Sequence, residues 1–344
     1  MYNIDCILHI TTFLDKETTK IILLLNKKLY RYFGMYYINK IKVNYKDINK
    51  IKTENRFFIN KLVNVDLIKE INENNFNESI INICKLKSLR KLVFNNNFNQ
   101  PLDGLQNLIN LKVIEFGYNF NQPLDGLQNL INLKVIEFGY NFNQSLDPLM
   151  NLSNLEYIKL GEKFNHNLCK LPSLKDLTFD FQSEFNKSID ILETYTNLQV
   201  LRFGSHINAQ LDKLPKSLTE LLLGYNFNNS INSISRLTNL KILIIGSKSF
   251  NKSINVFQNL KKLEILHFLD YTSFNRSING LSNLQNLKII ALGKQFNQDI
   301  SKLPKSLLSL TIFIESNKSI ENIPKWLNNI NINTNGKYIT FYKK

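Results

Sequence analysis

The sequence predicts an α/β-type solenoid: one short strand per coil, about a dozen 22-residue coils stacked through a parallel sheet, and a small helical segment ahead of them. Three observations predict it. The 22 residues FNQPLDGLQNLINLKVIEFGYN occur twice without one difference, from Phe98 to Asn119 and from Phe120 to Asn141. A Phe-Asn pair then keeps the same phase at Phe76, Phe98, Phe120, Phe142, Phe164, Phe185, Phe227, Phe250, Phe274 and Phe296, with Ile207-Asn208 and Ser316-Asn317 in two degenerate slots. Within each unit one segment has apolar residues at spacing two, as a strand requires, while the rest has spacing three.

Composition sets the frame. The chain has 344 residues, 43% hydrophobic and 21% charged, which is enough apolar material for a large core and too much for a mainly disordered chain. Gly and Pro are few and no Gly/Ser-rich or Pro-rich linker divides the chain, so one continuous body with a small appendage is expected: residues 1–45 as the appendage and 46–344 as the solenoid. Cys6, Cys84 and Cys169 are odd in number and far apart, which fits a reducing, cytoplasmic setting better than a disulfide framework or a structural zinc site. Apolar runs such as Ile21 to Leu25 fall well short of the roughly 20 residues a membrane helix needs, so no membrane partner is expected.

The formal net charge is +15, yet only six of the 43 cations are arginine, the residue suited to bidentate phosphate and guanine contacts. Asn, Ile and Lys dominate together, as under A/T-rich coding, and the lysines are scattered rather than gathered in tracts. Coding bias accounts for the charge more simply than a nucleic-acid partner, and weak nucleic-acid binding stands as the third functional reading.

In the first of the two identical units, Leu111, Ile114, Phe116 and Asn119 give L-x-x-L-x-L-x-x-N, and the spacing recurs at Leu133/Ile136/Phe138, Leu155/Ile158/Leu160, Leu240/Leu243/Ile245 and Leu287/Ile290/Leu292. This resembles the leucine-rich-repeat pattern. A 22-residue unit leaves no room for a long return helix, so extended or 3₁₀ segments are expected there. The phrases FNQPL (Phe98 to Leu102), FNKSI (Phe185 to Ile189) and FNRSI (Phe274 to Ile278), with the LPKSL variants at Leu214 and Leu303, more specifically resemble the FNIP repeat, a leucine-rich-repeat relative of social amoebae and giant DNA viruses. Were the source viral, the compartment implied is the host cytoplasm.

Stacked coils place each Phe over the next, so Phe98, Phe120 and Phe142 are read as an apolar spine, while Asn99, Asn121 and Asn143 bond backbone groups where strand pairing stops. Glycines such as Gly117, Gly139 and Gly246 are assigned to backbone geometry at the strand exit.

Residues 1–45 lack the repeat and read as amphipathic helices, with Ile4, Ile7, Leu8, Phe13 and Leu14 at helical spacing and a second apolar helix from Ile21 to Tyr30 that includes Leu24 and Leu25. A cap over the first coil is one reading. The order Ile10-Thr11-Thr12-Phe13-Leu14-Asp15, then Leu25-Asn26-Lys27-Lys28-Leu29-Tyr30, also resembles an F-box, without that family's opening Leu-Pro before Ile4. The resemblance implies docking on a Skp-type adaptor of a cullin ubiquitin ligase through Ile4, Ile7, Leu8, Phe13, Leu14, Leu24 and Leu25.

Motifs for chemistry are absent from the sequence. His9, His166, His206 and His267 are separated by long intervals, and there is no HExxH, phosphate-binding glycine loop or nucleophile elbow, so neither an enzyme nor a cofactor is expected. The residues beside the inward strand positions should face the concave side. One column runs Asp66, Val93, Glu115, Glu137, Lys159, Thr178, Arg202, Leu222, Ile244, His267, Ala291, Thr311; the other runs Asn64, Lys91, Val113, Val135, Tyr157, Asp176, Val200, Glu220, Ile242, Ile265, Ile289, Ser309. The face turns apolar at Leu222, Ile242, Ile244, Ile265 and Ile289, with His267 and Leu269 beside them, which marks either a protein-binding surface or the β-branched preference of any parallel sheet. The first functional reading is a protein-interaction module, substrate receptor of a ubiquitin ligase; the second is a scaffold with no ubiquitin role.

Overall fold

A computed structural model describes residues 68–70, 77–81, 83–85, 87, 89–314, 324, 326, 327, 329–334 and 337–342. Residues 1–45, with the positions Ile4, Ile7, Leu8, Phe13, Leu14, Leu24 and Leu25 that the sequence suggests for adaptor binding, lie outside the described residues, as do Phe76 and Ser316-Asn317.

Among the described residues fourteen strands form one sheet in chain order. They are β1 (Ile68–Glu70), β2 (Lys91–Val93), β3 (Val113–Glu115), β4 (Val135–Glu137), β5 (Tyr157–Leu160), β6 (Asp176–Phe179), β7 (Val200–Arg202), β8 (Glu220–Leu223), β9 (Ile242–Ile245), β10 (Ile265–Phe268), β11 (Ile289–Leu292), β12 (Ser309–Ile314), β13 (Asn329–Thr334) and β14 (Lys337–Tyr342). Each pairs in parallel with its sequence neighbours until β14, which turns back antiparallel on β13. Parallel neighbours in chain order require a complete return between strands, so every coil must double back across the other side of the core.

The returns are built as the repeat length demands. Short 3₁₀ turns occupy Leu105–Asn107, Asp125–Leu127, Asp147–Leu149, Asn232–Arg236 and Asn255–Asn259. Consecutive i→i+3 bonds close them: the Leu108 N–H donates to the Leu105 carbonyl at 2.9 Å and the Leu111 N–H to the Leu108 carbonyl at 2.9 Å. A three-residue turn repeats its inward face every third position, which is why Leu102, Leu105, Leu108 and Leu111 are all buried. The strand then changes the period to two and buries Ile114 and Phe116.

Two aromatic columns run through the N-terminal coils. The Phe98, Phe120, Phe142 and Phe164 rings follow one another at 6.0–6.1 Å and within 6° of parallel. This separation exceeds the ~4.8 Å strand spacing because the rings are stacked with an offset, the arrangement their quadrupoles favour. A second column, Phe94, Phe116 and Phe138, lies against the first, with Phe116 3.9 Å from Phe120. The spine resumes as Phe250, Phe274 and Phe296.

The repeat Asn forms a ladder of its own. The Asn99 N–H donates to Asn77 Oδ1 at 2.8 Å, and the Asn121, Asn143 and Asn165 N–H groups each donate to the Asn one coil earlier at 2.9 Å. Gln122 and Gln144 add a side-chain bond to the same oxygens. A second ladder was not foreseen from the sequence. Asn110, Asn132, Asn154 and Asn239 donate from Nδ2 to the Lys87, Ile109, Ile131 and Lys216 carbonyls of the preceding coil, between 2.8 and 3.1 Å. In the LPKSL coils Ser217 and Ser306 take this place, donating to Leu198 and Leu287.

Three expectations are corrected. The strand-exit glycines answer to close approach rather than to an unusual backbone angle: a Cβ on Gly139 would sit 2.1 Å from the Gly117 carbonyl oxygen, whereas the positive φ among the described glycines, 89°, belongs to Gly104 in a return. In the first strand Ile68 pairs with Lys91 and Glu70 with Val93, so Asn64 and Asp66 do not hold those registers. Coil length decides this, since 23 residues separate Ile68 from Lys91, matching the spacing of the other coils, whereas 27 separate Asn64 from it. The chain also ends in a hairpin rather than another parallel coil. Asn335-Gly336 between β13 and β14 is the dipeptide favoured in two-residue hairpin connections.

Cys84 and Cys169 are buried, and burial pushes their thiols up to about 11 and about 12. They are core residues, unsuited to nucleophilic or metal chemistry at neutral pH.

Candidate interaction face

Alternation along the strands sends one residue set into the core and the other to the open side of the sheet, the concave side in leucine-rich-repeat solenoids. The registers of β2 to β12 place both predicted columns there, from Lys91 and Val93 through Ser309 and Thr311. The two ends of the columns differ in chemistry.

From β2 to β8 the face carries charge, much of it paired between strands. Lys91 Nζ lies 2.5 Å from Glu115 Oε1 on the neighbouring strand. Arg202 donates from Nε to Glu220 Oε1 at 2.6 Å, and from Nη1 to Asp176 Oδ2 at 3.3 Å and Thr178 Oγ1 at 3.1 Å. Thr178 in turn donates to Asp176 Oδ1 at 2.8 Å. One guanidinium thus bridges carboxylates on the strands either side of its own. Burial nevertheless raises the Asp176 carboxyl above its ordinary value, against the lowering effect of Thr178 and Arg202. Tyr157, on β5 beside this cluster, has its phenol pushed up to about 12, first by burial and then by Glu137 and Asp176.

From Leu222 of β8 through β11 the face turns aliphatic. Ile242, Ile265 and Ile289 are in register across three strands, next to Glu220 of the charged cluster, and Leu222, Ile244, His267 and Ala291 form the adjoining column. Directly opposed residues stand about 4.5–5.5 Å apart on a sheet, so these side chains form one continuous patch. Leu222, Ile242, Ile244, Ile265 and Leu269 are half-buried, Ile289 is 40% exposed, and only Ala291 is buried. Burial lowers the His267 pKa, with Asp270 acting in the opposite direction, so the imidazole is neutral at neutral pH and belongs to the apolar patch.

The strand-exit edge carries aromatic residues that the strand columns alone did not reveal. Tyr225 and Tyr271 are 5.2 Å apart at a 49° tilt beside Leu269, and Phe181 is 51% exposed on the same edge. Tyr118 and Tyr140 stack at 4.5 Å, with Lys163 over the Tyr140 ring at 5.5 Å. A sequence signal existed for two of them. Phe179 to Phe185 and Phe268 to Phe274 are six residues apart, where Phe116 to Phe120 is four, and the added residues hold Phe181 and Tyr271. Gly246 makes room for this edge, since a Cβ there would stand 3.0 Å from Leu269 Cδ1 and 3.3 Å from Tyr271 Oη. Among the described residues no group of three His, Cys, Asp or Glu side chains is placed to hold a metal ion, and no helix is long and apolar enough to cross a membrane.

Fold and face together define a leucine-rich-repeat-type solenoid. Among solved structures, the chain is similar to CroV588, a viral circular leucine-rich-repeat protein, at 29% identity and a TM-score of 0.61, over 76% of this chain and 40% of that one. The internalin InlF of Listeria monocytogenes matches at 21% identity and a TM-score of 0.64, over 84% of this chain and 87% of that one. TLR13, solved with the single-stranded RNA ssRNA13, matches at 16% identity and a TM-score of 0.51, over 75% of this chain and 49% of that one. The last two share the fold alone. No family model matches the sequence, and no curated protein is similar to it.

Proposed function

We propose that the chain is a protein-interaction module that docks its partner on the open face of β8–β11. The observation that carries this reading is the aliphatic patch of Leu222, Ile242, Ile244, Ile265, Leu269 and Ile289, which reaches solvent on a sheet whose other half is charged, with Lys91 paired to Glu115 and Arg202 to Asp176 and Glu220. A solenoid offers an extended concave surface by construction, and apolar area gains about 25 cal/mol per Å² on burial. A flat sheet does favour β-branched residues on either face, yet Leu222 and Leu269 are not β-branched and belong to the same patch.

In its finer form the proposal follows the FNIP and F-box resemblances: segment 1–45 docks a Skp-type adaptor and the open face selects a substrate for a cullin-type ubiquitin ligase. Co-expression with a Skp-type adaptor tests this directly. The unmutated chain should co-purify with it, and Leu8→Asp combined with Leu14→Asp should abolish co-purification while the melting of the coils stays unchanged. Absence of co-purification with the unmutated chain would remove the ligase role and leave the interaction scaffold.

A further inference from the structure

The fixed charges of this solenoid are not spread evenly around the patch. Residues 89–204 hold ten lysines and arginines against twelve aspartates and glutamates, whereas residues 205–310 hold thirteen against five. The excess positive charge therefore belongs to the coils that carry the aliphatic face. At the strand-entrance rim Lys241 and Lys288 precede β9 and β11 and share one carboxylate, Glu264, at 4.0 and 3.1 Å. At the strand-exit rim Lys294 pairs with Asp270 at 3.4 Å, and the exposed Lys248 has no carboxylate within 4 Å among the described residues. The two arginines of these coils point elsewhere: Arg236 donates to the Leu214 carbonyl at 2.7 Å and Arg276 to the Asn251 carbonyl at 3.1 Å. What surrounds the patch is a rim of lysines, compact charges on long stems, with fewer carboxylates than they can pair with.

We infer that the open face of β8–β11 docks a short segment of another protein in which aliphatic side chains are interspersed with aspartate or glutamate. The inference rests on the docking reading above and names the chemistry of the partner. The aliphatic centre supplies burial and the lysine rim supplies attraction and orientation. Nucleic acid fits less well, because the centre offers aliphatic groups where bases need aromatic or guanidinium planes, and both nearby guanidiniums are engaged with backbone. Four strands at about 4.8 Å span about 14 Å, so the apolar stretch needs only about four or five extended residues, or about ten helical ones.

Fluorescence anisotropy with the full-length protein tests the inference. The probes are a labelled peptide alternating Leu and Glu, its counterpart with Lys for Glu, its counterpart with Ser for Leu, and an oligothymidylate. The Leu-Glu peptide should bind at least about tenfold more tightly than the other three, with Ile244→Asp or Ile289→Glu each weakening it by about tenfold. Lys241→Glu with Lys288→Glu should slow association about threefold or more and flatten its salt dependence, while Glu137→Lys leaves the affinity unchanged. Ile289 is the more exposed of the two patch positions, so its variant reports even if Ile244→Asp fails to fold. Equal or tighter binding of the Leu-Lys peptide, the Ser-Glu peptide or the oligothymidylate overturns the inference, as does self-association of the protein that Ile289→Glu abolishes. If the Leu-Lys peptide binds and Ile289→Glu removes it, the docking face stands and its acidic partner falls; if no probe responds to either patch variant, both fall.

Discussion

The coils from Phe98 to Asn141 and those from Leu222 to Ile289 bury the same kind of core and present opposite faces. Inside, both stack buried phenylalanines about 6 Å apart and both satisfy their turns with an asparagine ladder, through Asn99 and Asn121 in the first case and Asn251 and Asn275 in the second. Outside, the first set joins a stretch whose charges pair across strands, and the second exposes isoleucine and leucine inside a lysine rim. A repeat scaffold separates the two tasks cleanly. Positions pointing inward are fixed by packing against the neighbouring coil, while positions pointing outward vary without disturbing it.

The sharpest way to break this comparison is to attack the shared core from both ends. Phe120→Ala and Phe274→Ala should each cost about 3–5 kcal/mol in urea unfolding, because both rings are fully buried between ring neighbours in the adjacent coils. A cost under about 0.5 kcal/mol at either site, the level of surface positions, would show that the spine is not common to both. Asn121→Ala and Asn275→Ala come next, at about 1–2 kcal/mol each. Asn121 accepts from the Asn143 N–H and Gln144, and Asn275 from the Asn297 N–H and Gln298, so each loss leaves a turn amide without its acceptor. Hydrogen exchange of the Asn143 and Asn297 amides should quicken in the respective variants.

Smaller effects separate the outer faces. Arg202→Met leaves Asp176 and Glu220 facing one another and should cost about 1 kcal/mol, the modest size reflecting a guanidinium more than a third exposed to solvent. Raising the salt should narrow that loss. Ile289→Glu, at the most exposed patch position, removes no ion pair and should alter melting less than Arg202→Met alters it, while affecting binding more. The smallest effect is in pH. Because burial lowers the folded His267 pKa below the ordinary 6.5, its contribution to stability is complete above that value and is lost as the pH falls below it, when the unfolded chain takes up the proton first. His267→Leu should flatten this part of the melting profile below about pH 6.5; an unchanged slope would place the imidazole in water.

Much of this comparison was legible in the residues themselves. An exact duplication fixes the coil length, and once Leu111, Ile114 and Phe116 are assigned inward, the outward identity of Val113 and Glu115 follows from strand geometry and repeats with the period. Register failed where the period has no marker on both sides, at β1, and the antiparallel β14 lay beyond the last regular repeat despite its Asn-Gly signal. The Asn110 ladder was hidden because an asparagine between two leucines reads as a polar loop residue until the coil beneath supplies a carbonyl. Phe181 and Tyr271 were missed because insertions at the strand exit break the column that identifies outward positions. The adaptor-binding reading of Ile4 to Leu25 has a sequence basis alone.

The central claim is that Ile244, Ile265 and Ile289 present aliphatic surface on the open side of β9 to β11 while the inward residues of the same strands are packed away, and hydroxyl-radical footprinting of the free, full-length protein tests it most directly. Ile244, Ile265 and Ile289 should oxidise at rates approaching those of the exposed Ile109 and Ile131, while their strand neighbours Leu243, Leu266 and Ile290 stay protected. Protection of Ile244, Ile265 and Ile289 equal to that of Leu243, Leu266 and Ile290 would contradict the account, because a face already covered has nothing to offer a partner.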